Sequence, residues 1–254
     1  MIILKKIGQF IFSIYGFLIF LIGMFVLLPF FIIAFLQKPI KASYWVIFLA
    51  RIWTNFFFLM TGIVPKLIYN QKPDPNKEYI FISNHLSYID IPMILRTTRG
   101  RDLRVLAKAE MAQVPIFGSI YKRGTVLLDR ENTEERKKSI QHLIQLINKK
   151  VSVFLCPEGT FNMTNQPLKF FYDGAFRIAV ETQKPIQPIL FLDTYSRLNY
   201  KSIFSLNPGK CRAVFLEETS TIGLSEEDIK PLKEKIFCQM EEALIKFHAN
   251  WISA

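Results

Sequence analysis

Cysteine and histidine are scarce in this 254-residue chain, three of each, and acid is scarce at its N-terminal end, where residues 1–75 hold one carboxylate, Asp74, against seven basic side chains. The cysteines, Cys156, Cys211 and Cys238, are far apart, which argues against a disulfide framework or a thiolate metal cage and fits a reducing compartment. No Gly-x-Ser-x-Gly elbow occurs, so a serine hydrolase lacks its usual nucleophile setting. No zinc-finger or RNA-binding motif accompanies the net charge of +11, and basicity alone does not indicate nucleic acid. Internal repeats are missing too, and the half-apolar composition excludes disorder, collagen and a coiled-coil rod.

What is present is unevenly placed. Of the 24 Phe, 12 lie in residues 1–75, and no residue from Ile7 to Gln37 is charged. As a helix, Phe10 to Leu36 would extend roughly 40 Å at ~1.5 Å per residue, beyond the ~30 Å of hydrocarbon in a bilayer. The segment is therefore expected to insert into a membrane. It is about twice the ~15-residue apolar core of a signal peptide, and no small-x-small cleavage site follows it. Pro29 is expected to kink this helix or mark its exit from the bilayer. A second apolar stretch, Tyr44 to Val64, carries Arg51, Thr54, Asn55 and Gly62 as a narrow polar stripe, the pattern of an amphipathic or buried helix. Either the first helix crosses the membrane and the second lies at its surface, or the two form a hairpin dipping into one leaflet. Basic residues on both flanks, Lys5 and Lys6, then Lys38 and Lys41, favour the hairpin with both ends cytoplasmic. A basic excess beside apolar sequence suits the anionic face of a membrane.

The turn-rich segment Gln71 to Glu78 marks the expected boundary between a membrane-anchoring helical region, residues 1–70, and a globular domain, residues 71–254. Apolar runs of strand length occur at Tyr79–Ile82, Thr125–Leu128, Val151–Leu155, Ile186–Leu192 and Ala213–Leu216. Helical patterns lie between and after them: Thr133 to Asn148, with Ile140, Leu143, Ile144 and Ile147 on one face; a second from near Asp173; and Ser225 to Phe247, opened by a Ser225/Asp228 capping box. This alternation predicts an α/β domain, a sheet covered by helices.

Three segments following strands carry chemistry. In Ser83-Asn-His85-Leu-Ser87-Tyr-Ile-Asp90 the His and Asp are five apart, roughly 140° around a regular helix, so they cannot share a helical face. With His85 in a loop and Asp90 in the first helical turn they can meet. The carboxylate then fixes the imidazole tautomer and leaves the other nitrogen as a general base. Ser87 with Asp90 also matches a capping box, which would explain Asp90 structurally. Gly124 to Arg130 ends a strand in an arginine fork that can meet an anion or pair with Asp129 or Glu131. Leu155-Cys-Pro-Glu158-Gly159-Thr160 holds a carboxylate in a fixed turn, where it can receive a polyol hydroxyl or cap its own loop. Cys156 reads as a small core residue, since no basic partner stands beside it.

Taken in order, these segments resemble the glycerolipid acyltransferase family typified by 1-acylglycerol-3-phosphate acyltransferases. The match lies in the His-x-x-x-x-Asp block at Asn84 to Asp90, the Gly-to-Arg block at Gly124 to Arg130, Pro-Glu-Gly-Thr at Pro157 to Thr160 and the Pro-rich strand Pro185 to Ile189. Lys108 to Gly118 looks like the family's Lys…Pro…Gly segment. The resemblance implies an α/β fold with a mixed sheet covered by helices behind a hydrophobic helical membrane anchor, its catalytic domain on the cytoplasmic face. It implies transfer of an acyl group from acyl-CoA or acyl carrier protein to a lysophospholipid, most simply 1-acylglycerol-3-phosphate, giving phosphatidic acid, with membrane lipids as its surroundings. His85 would be the base and Asp90 its orienter; Lys108 and Arg130 would hold the acceptor's phosphate, and Glu158, Gly159 and Thr160 its glycerol part. A thioester is already activated, so no cofactor or metal is expected. One departure stands out: the family commonly follows Glu-Gly-Thr with an Arg that contacts phosphate, and this chain has Phe161. Lys169 or Arg177 would then have to substitute, or the acceptor is another lysolipid, such as a lyso-aminoacyl lipid. The rival from another class, a non-catalytic module that binds anionic lipid, leaves the intact blocks unexplained. The basic run Arg96, Arg99, Arg101, Arg104 is a candidate surface for an acidic carrier protein or lipid headgroups.

Overall fold

The computed structural model describes residues 2–129, 132–249 and 251–252. Two long apolar helices come first, α1 (Ile2–Phe35) and α2 (Pro39–Thr61), followed by β1 (Ile63–Tyr69), β2 (Ile80–Ser83), α3 (Asp90–Thr97), β3 (Leu103–Lys108), α4 (Phe117–Gly124) and β4 (Thr125–Leu128). Then come α5 (Thr133–Asn148), β5 (Ser152–Leu155), α6 (Gly174–Thr182), β6 (Ile186–Phe191), the short α7 (Thr194–Arg197), β7 (Gly209–Phe215) and α8 (Ile229–Lys246). The seven strands form one sheet in the order β1-β7-β6-β2-β5-β3-β4. All neighbours are parallel except β6 and β7, so the sheet is mixed, as expected.

The sheet is buried on both faces, which is why β2, β5 and β6 read as continuous apolar runs rather than alternating ones. One face packs against α5, α6 and α8 through Leu143, Ile178, Ile236 and Met240. The other packs against α1, α2 and α3 through Ile19, Phe57, Phe58 and Met93. Asn132 caps α5 by accepting the N–H groups of Glu134 and Glu135, and the Ser225/Asp228 capping box forms as expected.

Two strands escape the sequence pattern. β3 holds Arg104, buried by packing on the Tyr44 ring, and a basic residue there hides the run. β1 lies within the region expected to be anchor, before the 70/71 boundary, yet it pairs with β7 along its whole length and forms the sheet edge. The chain turns directly from α2 into the sheet at Gly62, whose left-handed backbone closes the helix.

The α1–α2 pair is an antiparallel hairpin bound to the domain. Trp53 donates its indole N–H to the Phe20 carbonyl, and the Tyr15 hydroxyl donates to Met60. Arg51, expected in a polar stripe, donates to the carbonyls of Thr98 and Arg101, both at 2.8 Å, at the end of α3. Near its start, α1 is held by Gln9 donating to Ser205 O and by Ser13 Oγ accepting from Leu206 N–H. Phe31 and Val46 pack with Ile120 of α4 toward the other end. Both helices are long and apolar enough to cross a membrane. The outward face of α1 exposes Phe10, Phe17, Ile22, Phe25, Phe30 and Ile33, and that of α2 exposes Trp45 and Phe48. An exposed apolar surface of this extent is a membrane or partner contact.

Candidate active site

The sequence-marked residues converge on the carboxyl ends of the parallel strands, where open α/β sheets bind ligands. His85 follows β2, Asp90 starts α3, Lys108 ends β3 and Glu158 follows β5. Arg130, two positions past β4, lies outside the described residues.

His85 and Asp90 meet. The imidazole Nδ1 is 2.8 Å from Asp90 Oδ2, and the same oxygen accepts main-chain N–H groups from Leu86 at 2.7 Å and Ser87 at 2.8 Å. An oxygen already facing two donors accepts the third contact as well, so Nδ1 carries the proton and Nε2 is left as an acceptor. Asp90 is wholly buried, whereas the His85 side chain keeps 20% of its surface open. The structural reading of Asp90 holds simultaneously, since its bond to Ser87 N–H is half of the capping box. The Ser87 hydroxyl accepts from Ile89 N–H and donates to the Leu198 carbonyl instead of closing the other half.

Glu158 occupies a different place from the one expected of a glycerol contact. It is fully buried, and its oxygens accept the main-chain N–H of His85 at 2.9 Å and of Lys169 at 3.0 Å. The carboxyl group therefore fixes the main chain at His85. Desolvation pushes its pKa up to about 8, against the pull of those two N–H groups. Gly159 has a left-handed φ of 74°, and a Cβ there would fall 2.7 Å from the Tyr172 ring, so the turn admits no side chain. Thr160 is exposed, and its hydroxyl accepts the Lys169 ammonium at 2.8 Å. Lys108 is half-exposed at the far end of β3, paired with Glu110 at 2.9 Å.

Phe161 packs on His85. Its ring centroid is 4.4 Å from the imidazole and 5.2 Å from the Tyr88 ring, and Tyr200 stacks behind it. Of the two cations expected to replace the missing arginine, Arg177 on α6 pairs with Glu226, while Lys169 reaches Thr160 on the Glu158–Thr160 turn. The run of four arginines also divides. Arg101 donates to three carbonyls and covers the Tyr79 ring, and Arg104 is buried, whereas Arg96 and Arg99 have no ion pair among the described residues.

Two supports were not foreseen. Asn84 clasps the main chain of Phe191 on β6, donating at 2.9 Å and accepting at 2.8 Å, and the Asn162 N–H donates to the His85 carbonyl at 2.7 Å. A buried Asn directly after an apolar strand was the available signal for the first.

The family model for acyltransferases matches residues 66–192, 127 of the 254, and the chain belongs to that family. It is 29% identical over 164 residues to the 1-acyl-sn-glycerol-3-phosphate acyltransferase alpha of Homo sapiens, covering 64% of this chain and 57% of that one. It is 30% identical over 199 residues to the 1-acyl-sn-glycerol-3-phosphate acyltransferase of Saccharomyces cerevisiae, covering 77% and 64%. The alignment thus spans less than two thirds of either relative. Its fold is that of the 1-acyl-sn-glycerophosphate (LPA) acyltransferase PlsC of Thermotoga maritima, with a TM-score of 0.75 at 21% identity over 97% of this chain and 99% of that one.

Proposed function

We propose that this protein transfers a fatty acyl group from a thioester, acyl-CoA or acyl carrier protein, to the free hydroxyl of 1-acylglycerol-3-phosphate, giving phosphatidic acid. The observation that carries this reading is the His85–Asp90 pair, with no partner for Nε2 among the described residues, at the carboxyl end of the sheet. His85 Nε2 accepts the hydroxyl proton as the oxygen attacks the thioester carbonyl. Asp90 stabilises the imidazolium that forms. The tetrahedral intermediate expels the thiolate, which takes the proton back from Nε2, so the enzyme returns to its starting state. No cofactor enters. Lys108, Lys169 and Arg130 are the cations offered to the acceptor's phosphate, and Thr160 its exposed hydroxyl. Glu158 acts by positioning the His85 main chain.

The hairpin lying in one leaflet is the membrane arrangement that the contacts favour. The domain touches α1 in its first half, through Ser13, at its middle, through Ile19, and near its end, through Phe31. A helix held along a polar domain cannot cross a bilayer without taking that domain with it. The exposed apolar face then brings lipid substrates to the site, on the cytoplasmic side by the placement of its lysines.

Phe161 supports a second acceptor. An aromatic ring against the base offers no fork for a phosphate monoester, which favours a lysolipid with a less charged headgroup. A panel of lysolipids offered with one acyl-CoA decides between them: lysophosphatidate should be used fastest, and preference for a neutral or amino-acid lysolipid overturns the first choice. His85→Ala should lower turnover by ~10²–10⁴-fold in a folded, membrane-bound protein, and near-normal turnover refutes the mechanism.

A further inference from the structure

The sheet edge made by β1 and β7 carries a basic cleft with no part in the scheme above. Lys66, Lys210, Arg212, Arg197, Asp193 and Gly209 line an open space of about 540 Å³. The strand register sets Lys66 beside Arg212 and Val64 beside Lys210, so the three cations share one face of the sheet. Arg212 is committed to Asp193, whose two oxygens accept its Nε at 2.8 Å and Nη2 at 2.7 Å. Arg197 donates to the Pro208 carbonyl, and its Nε is buried without a partner among the described residues. Lys66 and Lys210 are exposed and have no ion pair among the described residues. Gly209, at φ 124°, makes room for the Arg197 guanidinium, since a Cβ there would lie 2.3 Å from Nη1.

Position indicates which anion fits. Cys211 and Ala213 of β7 belong to the core shared with α1 and α2, so the alternating Lys210 and Arg212 face the opposite side of the sheet. The cations turn away from the apolar hairpin, which suits a water-borne anion rather than a lipid headgroup. The cleft also adjoins the base. Leu198, next to Arg197, accepts the Ser87 hydroxyl, and Phe191, two residues before Asp193, is clasped by Asn84 beside His85. In the strand order the cleft lies on the β6–β7 side of β2, and Lys108 lies on the β5–β3 side. Transfer between two phosphate-bearing substrates calls for two cationic seats with the base between them.

We propose that the cleft seats the phosphorylated nucleotide end of a coenzyme A thioester, whose thioester end reaches His85; this rests on the acyl-transfer reading. Its volume falls in the ~300–1,000 Å³ range of small-ligand sites, and cations gathered around one space match the clustered phosphates of a nucleotide rather than the spread carboxylates of a carrier protein.

The test is the double variant K66A/K210A of the full chain in neutral detergent. The KM for acyl-CoA should rise about tenfold or more, with kcat and the acceptor KM within about twofold of wild type. The KM for the same acyl group on N-acetylcysteamine, a thioester without phosphate, should not move. An unchanged KM for acyl-CoA, an equal rise for both donors, or a loss confined to acyl carrier protein overturns the proposal. So does reduced binding to phosphatidylglycerol-containing vesicles with the donor KM unchanged. A wild type that uses no thioester refutes the acyl-transfer reading instead. Equilibrium dialysis of coenzyme A against wild type and the double variant then still tests the cleft, with about tenfold weaker binding expected in the variant and equal binding refuting it.

Discussion

Raising the pH from 6 to 8 should destabilise this protein through one buried side chain, Glu158. Desolvation raises its pKa from 4.5 to about 8, partly offset by the N–H groups of Lys169 and His85 and by the Lys169 charge, with the Asp90 charge adding to the rise. Between those two values the folded protein holds a proton that the unfolded chain has released, so stability is full below pH 4.5 and is lost as pH climbs through 8. The slope is ~1.4 kcal/mol per pH unit, which makes about 2.5 kcal/mol between pH 6 and pH 8 and little more above. For a chain of this length ~1 kcal/mol moves the melting temperature by ~2–4 °C, so the fall should be roughly 5–10 °C.

Melting of the full chain in neutral detergent at pH 6, 7, 8 and 9, wild type beside Glu158→Gln, isolates this contribution. Gln cannot ionise, and its NH₂ must face one of the two main-chain N–H donors, which costs about 1–3 kcal/mol at every pH. Wild type should therefore melt well above the variant at pH 6, and the gap should close by pH 8. A gap of constant width from pH 6 to pH 9 would refute the argument that burial holds a proton on Glu158.

Lys169→Gln keeps the main-chain N–H on Glu158 and removes only the ammonium beside Thr160. The KM for 1-acylglycerol-3-phosphate should rise about tenfold with kcat nearly unchanged, and an unaltered KM would remove Lys169 from the acceptor site. For the hairpin, Lys6→Cys and Lys41→Cys in a Cys238→Ser background should both react with a membrane-impermeant maleimide from the side that bears the domain. Labelling of the two from opposite sides would establish a crossing helix.

The dyad was legible because its two residues are local: five positions apart, one in a loop and one at a helix start, they can meet in few other ways. α5 was legible because its apolar face and Asn132 cap are local too. β1 was not, because Ile63–Tyr69 is an edge strand whose partner, β7, is distant in sequence, and its apolar start continues the α2 pattern. The role of Glu158 was also hidden. A Pro-Glu-Gly turn indicates a fixed carboxylate, but only the packing of β5 against β2 turns it inward onto His85 rather than outward to substrate. The arginine run misled for the same reason, since the carbonyls and rings that absorb Arg101 and Arg104 come from separate segments.

Helix α1 and His85 are joined by a line of polar contacts. Ser13 of α1 accepts from Leu206 N–H; the neighbouring Ser205 hydroxyl accepts from Asn199 N–H; Asn199 bridges Ser87; and Ser87 N–H is held by Asp90, which holds His85. The four hydrogen bonds run from 2.8 to 3.1 Å and are buried or part-buried, so in the one-leaflet arrangement proposed above the depth of α1 among the lipids would set the height of the imidazole above them. On the acyl-transfer reading proposed above, the hydroxyl to be acylated would lie at the glycerol level of a lipid anchored by its own chain, and a displacement of about 1 Å between base and hydroxyl can cost ~10²-fold in rate. A floating domain on a flexible tether would sample that alignment rarely. A hairpin bonded to the loop that carries Ser87's partner holds it continuously, which gives a physical reason for α1 and α2 to pack along the catalytic domain rather than stand apart as an anchor.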